Sequence, residues 1–443
     1  MKRTPPARAD QLGDAAPASA ALEDNRSPPP PTSTQTLHIL VIPSWFPTRA
    51  RPGLGLNFLN QAIAFQARGH RVGVIYPDFP SVRKDPVAAV LPRLRVKPID
   101  GVSVLSRTRA FVHRLGRHPP GERFARTASW LFDRYVERFG VPDVIRAHSA
   151  LWAGVAANRI ARRTGLPYVI SEHRSRFVAS PHVNEETLAA TRHPSVKCAF
   201  ESASCVVTVS QSMNSYIAGI APSTKKPLIT IPNMVDTDLF SPGAPHATGT
   251  RPFRFISVGG LIPLKGFDVA IAALRLAREA SREEISLRIV GSGPELDRLR
   301  ALAAMHGLAD VVSFAGQLDN RAVAREMSES DAFVLATRYE AFGIVFIEAL
   351  AAGLPVIGTR SGGPIDIVNS DNGLLVDVDD HEGLATAMAH FVKNRSSYDR
   401  EGIRRDTIER FGRDAVSQAL EAVLVDAVLS TPPRPRAPGP LVP

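Results

Sequence analysis

Two glutamates eight positions apart, Glu340 and Glu348, are the residues best placed by type and spacing to do chemistry in this 443-residue chain. They sit in Arg338-Tyr339-Glu340-Ala341-Phe342-Gly343-Ile344-Val345-Phe346-Ile347-Glu348, where a short apolar strand gives way to a helix predicted to open at about Phe342. Glu340 then falls in the strand–helix loop and Glu348 about two turns into the helix. Glu348 has Val345, Phe346, Ile347, Leu350 and Ala351 around it, a setting in which a carboxylate is costly unless hydrogen-bonded. A vicinal diol such as that of ribose offers two donors to one carboxylate. On these residues alone, a helix with a solvated polar stripe is the alternative. Gly343 and Ile344 mark a helix start whose free amides suit an anion.

A second constellation is Val258-Gly259-Gly260-Leu261-Ile262-Pro263-Leu264-Lys265-Gly266. Gly259 and Gly260 let backbone approach a diphosphate, and Lys265 adds a charge near the next helix start. No Gly-Lys-Ser/Thr closes the loop, so a P-loop nucleotidase is excluded. Gly291-Ser292-Gly293 and Gly53-Leu54-Gly55 each lack the third glycine of a dinucleotide fingerprint, at Leu296 and Phe58. Either suits a plain turn or a loop facing a ligand. His148 and His173 both end strands, where α/β sites form, whereas His70 follows a helix stop and reads as structural. Asp236-Thr237-Asp238 and Asp377-Val378-Asp379 have the Asp-x-Asp form of a metal clamp but no third ligand near either, so no metal is expected.

These residues hang on a repeated strand–helix–strand pattern. Apolar runs at 37–42, 72–76, 143–148, 168–171, 206–210 and 228–231 alternate with amphipathic segments, and the alternation restarts at 253–259, 287–293, 311–316, 332–337, 355–359 and 373–376. The pattern predicts an α/β fold with two parallel, doubly wound sheets. The expected division is a disordered tail over 1–35, a first Rossmann-like domain over 36–235, a second over 253–412, a last helix over 413–429 and a tail over 430–443. An apolar fraction of 44% and a charged fraction of 22% are those of a globular protein. No apolar run reaches a membrane span, and no signal-peptide core follows Lys2 and Arg3. Two cysteines, Cys198 and Cys205, exclude a disulfide framework and suggest a cytoplasmic home.

The net charge is +10, and it is concentrated: Ser81 to Trp130 holds eleven basic residues against three acidic ones. Within that segment Val102, Val104, Leu105, Phe111, Val112 and Leu115 accompany Arg107, Arg109, Arg114 and Arg117, a mix that suits an interfacial element on an anionic membrane. A nucleic-acid-binding protein also fits a pI near 10, but Phe111, Phe124 and Trp130 have no regular spacing within the basic patch, so no nucleic acid is expected.

The Glu-x7-Glu motif inside YEAFGIVFIEALAAGLPVI, with VGGLIPLKGFDVAI, VGSGPE, SGGPIDIV, IPNMVDTDLF and EHRSRF, resembles the GT-B-fold glycosyltransferases of family 4 over about residues 37–425. The resemblance implies two Rossmann-like domains facing across a cleft, the last helix crossing back to the first. It implies a retaining hexosyltransferase that uses a nucleotide-diphosphate sugar (UDP- or GDP-linked) and needs no cofactor. A saccharide or lipid-linked acceptor, and a place in polysaccharide, lipopolysaccharide or glycolipid synthesis at the inner face of a membrane, follow from the same likeness. By that resemblance Glu348 binds the ribose, Glu340 contacts the transferred sugar or its leaving phosphate, Lys265 neutralises the diphosphate, and His173 touches the donor sugar. Gly259, Gly260, Gly291, Phe342, Gly343, Ile344 and Gly363 line the donor site, and Gly55 covers the phosphates. Many members carry Arg where this chain has Gly260, so either Arg338 or Arg174 compensates or donor affinity is lower. A GT-B epimerase or phosphorylase is the nearest alternative.

Overall fold

β-Branched runs buried on both faces form the centre of each sheet. The computed structural model describes residues 35–48, 51, 53–80, 87, 91–110, 120–174, 189–223, 228–243, 251–281 and 284–432. The first sheet comprises β1 (His38–Pro43), β2 (Arg71–Asp78), β3 (Arg93–Ile99), β4 (Val102–Thr108), β5 (Val144–His148), β6 (Tyr168–Glu172), β7 (Cys205–Thr208) and β8 (Leu228–Thr230). Its order is β3-β4-β2-β1-β5-β6-β7-β8, parallel except for the antiparallel β3–β4 pair. The second comprises β9 (Phe253–Val258), β10 (Ile285–Val290), β11 (Val312–Gly316), β12 (Ala332–Leu335), β13 (Val356–Thr359) and β14 (Gly373–Val376), ordered β11-β10-β9-β12-β13-β14 and parallel throughout.

Apart from the β3–β4 hairpin at the edge of the first sheet, each order reverses direction once, between β1 and β5 in the first sheet and between β9 and β12 in the second. Ligands of open α/β sheets bind in the crevice outside such a switch point, where the loops on either side diverge. The loops after β9 and β12 carry Lys265 and Glu340. Those after β1, β5 and β6 carry Gly55, the 149–154 turn and His173.

The final helix, Arg413–Leu429, buries Val416, Leu420 and Leu424 in the core of the first sheet, not the second. Glu421 fixes it there, paired with Arg68 at 2.5 Å and His70 at 3.3 Å. His70 also accepts the Leu37 amide through Nδ1 at 3.1 Å, which gives it a structural place.

Part of the apolar face expected of the basic segment belongs to the sheet instead. Val102, Val104 and Leu105 lie in β4 and are buried in the core. Phe111, Val112, Arg114, Leu115 and Arg117 fall outside the described residues. Among the described residues, the exposed large apolar side chains of the segment are Val87, Leu91, Leu94 and Val96, the last two on edge strand β3 beside exposed Arg95 and Lys97. The hairpin had a legible turn, Asp100-Gly101, both with positive φ (46° and 82°) as a two-residue hairpin loop requires.

Candidate active site

The Ile344–Ala351 helix starts two residues later than expected, so Glu348 stands one turn in, not two. Gly343 decides the start: its φ of 101° suits glycine, and a Cβ there would come within 2.8 Å of the Phe346 ring. The first-turn amides beyond it have no intrahelical acceptor. The Glu340 peptide is held on both sides, its N–H donating to the Ser361 carbonyl and its carbonyl accepting from Gly363, each at 2.8 Å. Its carboxylate accepts from Lys265 Nζ. The two groups expected at opposite parts of a donor therefore meet directly across the switch point of the second sheet.

Glu348 has no side-chain partner among the described residues, although its neighbours Ile347, Ala349 and Leu350 are fully buried. Glu348 itself is half-buried, so its carboxylate is open to a partner arriving from solvent. Burial pushes its pKa from 4.5 up to about 7.

Several expected donor contacts are spent within the fold. Arg338 grips Asp268 with both Nη atoms at 3.2 Å, donates Nε to Asp379 at 2.7 Å and reaches the Pro263 carbonyl. It braces one loop against the other and does not replace the absent arginine at Gly260. Gly363 gives its amide to Glu340 and so offers no donor to a phosphate. Gly291 (φ 144°) exists for loop packing: a Cβ would lie 1.9 Å from the Gly259 carbonyl oxygen. The Gly259 amide donates to Val290 at 3.0 Å. Phe342 is buried, its ring edge-on to Phe411 and its backbone packed against Gly363. Gly260 is exposed, and a Cβ there meets nothing within 4 Å. Of the Asp-x-Asp pairs, Asp236 accepts the amides of Asp238 and Leu239 to close a turn, and Asp379 is taken by Arg338.

In the first domain Gly55 (φ 78°) starts the Leu56–Ala67 helix against the Trp45 backbone. Arg174 lies over the Trp45 ring at 4.6 Å, beside that loop. His173 is tied at both ring nitrogens, Nε2 3.1 Å from His148 Nδ1 and Nδ1 3.1 Å from Asn233 Oδ1. Phe58 stacks on His148 at 4.2 Å and tilts against His173 at 4.9 Å. Burial, with the cation of Arg146 second, drives the His173 pKa down to about 3 and that of His148 well below 6.5.

Glu172, fully buried, joins the loops after β5 and β6. One carboxylate accepts from Ser149 Oγ (2.8 Å), Ala150 N (2.7 Å), and the amides of His173 and Arg174 (2.9 Å each). It holds a turn in which Ser149 (φ 72°) and Trp152 (φ 84°) adopt backbone that non-glycine residues rarely take, and such strain gathers at sites. The pattern reading passed over Glu172, Asn233 and Asn57. A charged residue continuing an apolar strand into a loop was the signal available for Glu172.

The two halves meet at the site itself. Ser210 Oγ donates to the Ala341 carbonyl at 2.6 Å, the Gln211 amide donates to Asp366 at 2.7 Å, and Tyr216 packs edge-on against Tyr339. The linker after β8 contributes Asn233, which accepts from Asn57 Nδ2 at 2.7 Å.

A paired lysine and glutamate, a ligand-seeking glutamate one turn into a helix, and an opposing neutral histidine form a frame for a phosphorylated, polyhydroxylated molecule. Known proteins agree. Residues 53–239 match the Glycosyltransferase Family 4 model and residues 244–408 the Glycosyl transferases group 1 model, so both sheets are covered. The chain belongs to glycosyltransferase family 4. Among relatives of this family-4 enzyme, glycogen synthase of Mycobacterium tuberculosis is 28% identical over 305 residues, spanning 68% of this chain and 72% of that one. The GDP-mannose-dependent alpha-(1-6)-phosphatidylinositol monomannoside mannosyltransferase of the same organism is 35% identical over 181 residues, 37% of this chain and 46% of that one. Sucrose-phosphate synthase from Thermosynechococcus elongatus superposes with a TM-score of 0.69 at 21% identity, covering 89% of this chain and all of that one, which establishes the GT-B fold.

Proposed function

We propose that this glycosyltransferase moves a hexose from a nucleotide-diphosphate sugar to a saccharide or lipid-linked acceptor with retention of anomeric configuration. The observation that carries the reading is the Lys265–Glu340 pair beside an unpartnered Glu348 at the switch point. Glu348 takes the ribose hydroxyls. Lys265 and the amides beyond Gly343 take the diphosphate, and Glu340, released from Lys265, turns to the transferred sugar. Cleaving the anomeric C–O bond places positive charge on the sugar and negative charge on the diphosphate. Lys265 and the helix start stabilise the second. The departing phosphate takes the acceptor hydroxyl's proton on the same face, so the reading asks for neither a dedicated base nor a resident cofactor. His173 lies on the sugar's side, and its neutrality avoids adding a cation beside the charge developing at the anomeric carbon.

The relatives' names include a GDP-mannose-dependent mannosyltransferase, and a structural neighbour, Anabaena HepE, is known in complex with UDP, so UDP- and GDP-sugars are both candidates. The reading places the enzyme in the cytoplasm at an anionic membrane face, reached through Leu94, Val96, Arg95 and Lys97. No helix among the described residues is long and apolar enough to cross a membrane. The test is a screen of UDP- and GDP-sugars by nucleotide release, with and without lipid-linked saccharides, followed by the anomeric configuration of the product. An inverted anomer refutes retention, and donor consumption independent of any acceptor favours an epimerase.

A further inference from the structure

The tautomers of the buried histidine pair follow from one acceptor. Asn233 Oδ1 already accepts from Asn57 Nδ2 at 2.7 Å, and a carbonyl oxygen has only lone pairs to offer. His173 Nδ1, 3.1 Å from that oxygen, must therefore carry the proton. His173 Nε2 is then bare, and the group 3.1 Å from it, His148 Nδ1, must donate. His148 Nε2 is left bare in turn, fully buried and without a hydrogen-bond partner among the described residues. Two residues earlier on β5, and so on the same face of the sheet, Arg146 is also buried. Its guanidinium donates to Gln61 Oε1 at 2.6 Å and Ser171 Oγ at 3.3 Å and has no carboxylate partner among the described residues. A permanent cation beneath the pair disfavours protonating either ring. Phe58 closes the other side by stacking on His148.

We propose that His148 is a positioning residue for His173: its Nδ1–H, backed by Arg146 and clamped by Phe58, fixes His173 as the neutral Nδ1–H tautomer with an Nε2 that can only accept. A hydrogen-bond acceptor at that place suits a sugar hydroxyl, which donates to the single Nε2 lone pair in place of His148. The chain Asn57–Asn233–His173–His148 also ties this ring to the interdomain linker and to the first turn of the helix behind Gly55. The inference rests on the proposed contact between His173 and the donor sugar.

Asparagine places an amide N–H near the position of an imidazole Nδ1–H, glutamine places one near Nε2–H, and leucine offers none. The full-length protein and its His148→Asn, His148→Gln and His148→Leu variants are compared by nucleotide release from UDP-glucose and GDP-mannose. Their ¹⁵N-imidazole spectra are recorded near neutral pH, with His173→Gln assigning the His173 signals. The wild type should show a protonated Nδ1 and a bare Nε2 on His173. His148→Asn should keep that pattern and turnover within a few-fold of wild type. His148→Leu and His148→Gln should show mixed or reversed His173 tautomers and a fall in kcat of roughly 10–100-fold, the scale for a misplaced reacting partner, with KM little changed. A reversed tautomer in the wild type overturns the proposal, as does an unchanged His173 pattern and kcat in His148→Leu. Equal losses in all three variants with the His173 pattern intact reduce His148 to a packing residue. If His173→Gln turns over normally while the tautomer is as stated, the donor contact of His173 fails and the positioning network stands.

Discussion

Glu348→Gln should make the ligand-free protein more stable and a worse enzyme. The carboxyl is held at about 7 by burial, against 4.5 in an exposed chain. A carboxyl raised on folding contributes stability that is present below pH 4.5 and lost as pH rises through 7. Above pH 7 that costs the folded state up to about 3 kcal/mol, an upper bound because the group at the cleft floor keeps some solvent. Glutamine has the same shape and no charge to desolvate. Urea unfolding of the free protein should therefore show the variant gaining as much as about 3 kcal/mol at pH 8, with Tm higher by several degrees, and almost nothing at pH 4.5. Adding UDP or GDP should reverse the order, because a bound ribose gives the carboxylate its two donors and the amide a poorer match. The donor's KM should rise more than kcat falls, as expected for a contact made equally in ground and transition states. A variant no more stable than wild type at pH 8, or one whose nucleotide binding is unchanged, would refute both the burial argument and the ribose assignment.

Lys265→Ala should lower kcat by roughly 10²–10³, the scale for one donor to a developing anion, and Glu340→Gln should reduce kcat more than it raises KM; nucleotide release measures both. Gly260→Arg enters open space and should tighten UDP or GDP binding in calorimetry, unless Arg174 already supplies that charge, in which case Arg174→Gln alone should weaken it. His173 ionises far below the 6.5 of an unfolded histidine, so its contribution is present above pH 6.5 and lost as pH falls. Unfolding free energy of wild type should drop relative to His173→Gln by about 1.4 kcal/mol per pH unit between pH 6 and 4.5. In flotation with anionic vesicles, losing Arg95 and Lys97 together should weaken binding roughly 30-fold, since each basic group near such a surface contributes about 1 kcal/mol. Equal recovery with neutral vesicles would remove the membrane from the reading.

The alternation of apolar runs placed twelve of the fourteen strands, because parallel strands buried on both faces leave little ambiguity about where they lie. The exceptions, β3 and β4, show what that signal misses. β3 is an edge strand whose side chains are mostly exposed, so its Arg-Leu-Arg-Val-Lys alternation looks like a charged surface unless the Asp100-Gly101 turn is weighed with it. Treating the segment as one amphipathic unit assigned Val102, Val104 and Leu105 to a membrane when the sheet had claimed them. Glycines were the other weak point. A glycine next to a presumed ligand and a glycine pressed against another loop look identical in sequence, and Gly291 proved to be the second kind.

The site's chemistry was legible where a residue type conflicts with its surroundings, and illegible where partners come from distant strands. Glu348 amid apolar neighbours is such a conflict, visible in one stretch of chain. Arg338 looked free until the fold brought Asp268 and Asp379 to it from residues 70 and 41 positions away. Arg146 in the middle of β5, Glu172 at the end of β6 and Glu348 one turn into its helix are all ionisable, and none has an opposite charge in hydrogen-bonding contact among the described residues. A fold selected only for stability would replace such groups, since a buried charge without a counter-charge is costly. Glu172 is satisfied by neutral donors and Arg146 in part, through Nε and Nη2, whereas Glu348 has no side-chain partner among the described residues. On the proposed reading that difference separates the supporting groups from the binding group: the first domain uses its buried charges for preorganisation, and the second keeps one carboxylate for the nucleotide to complete.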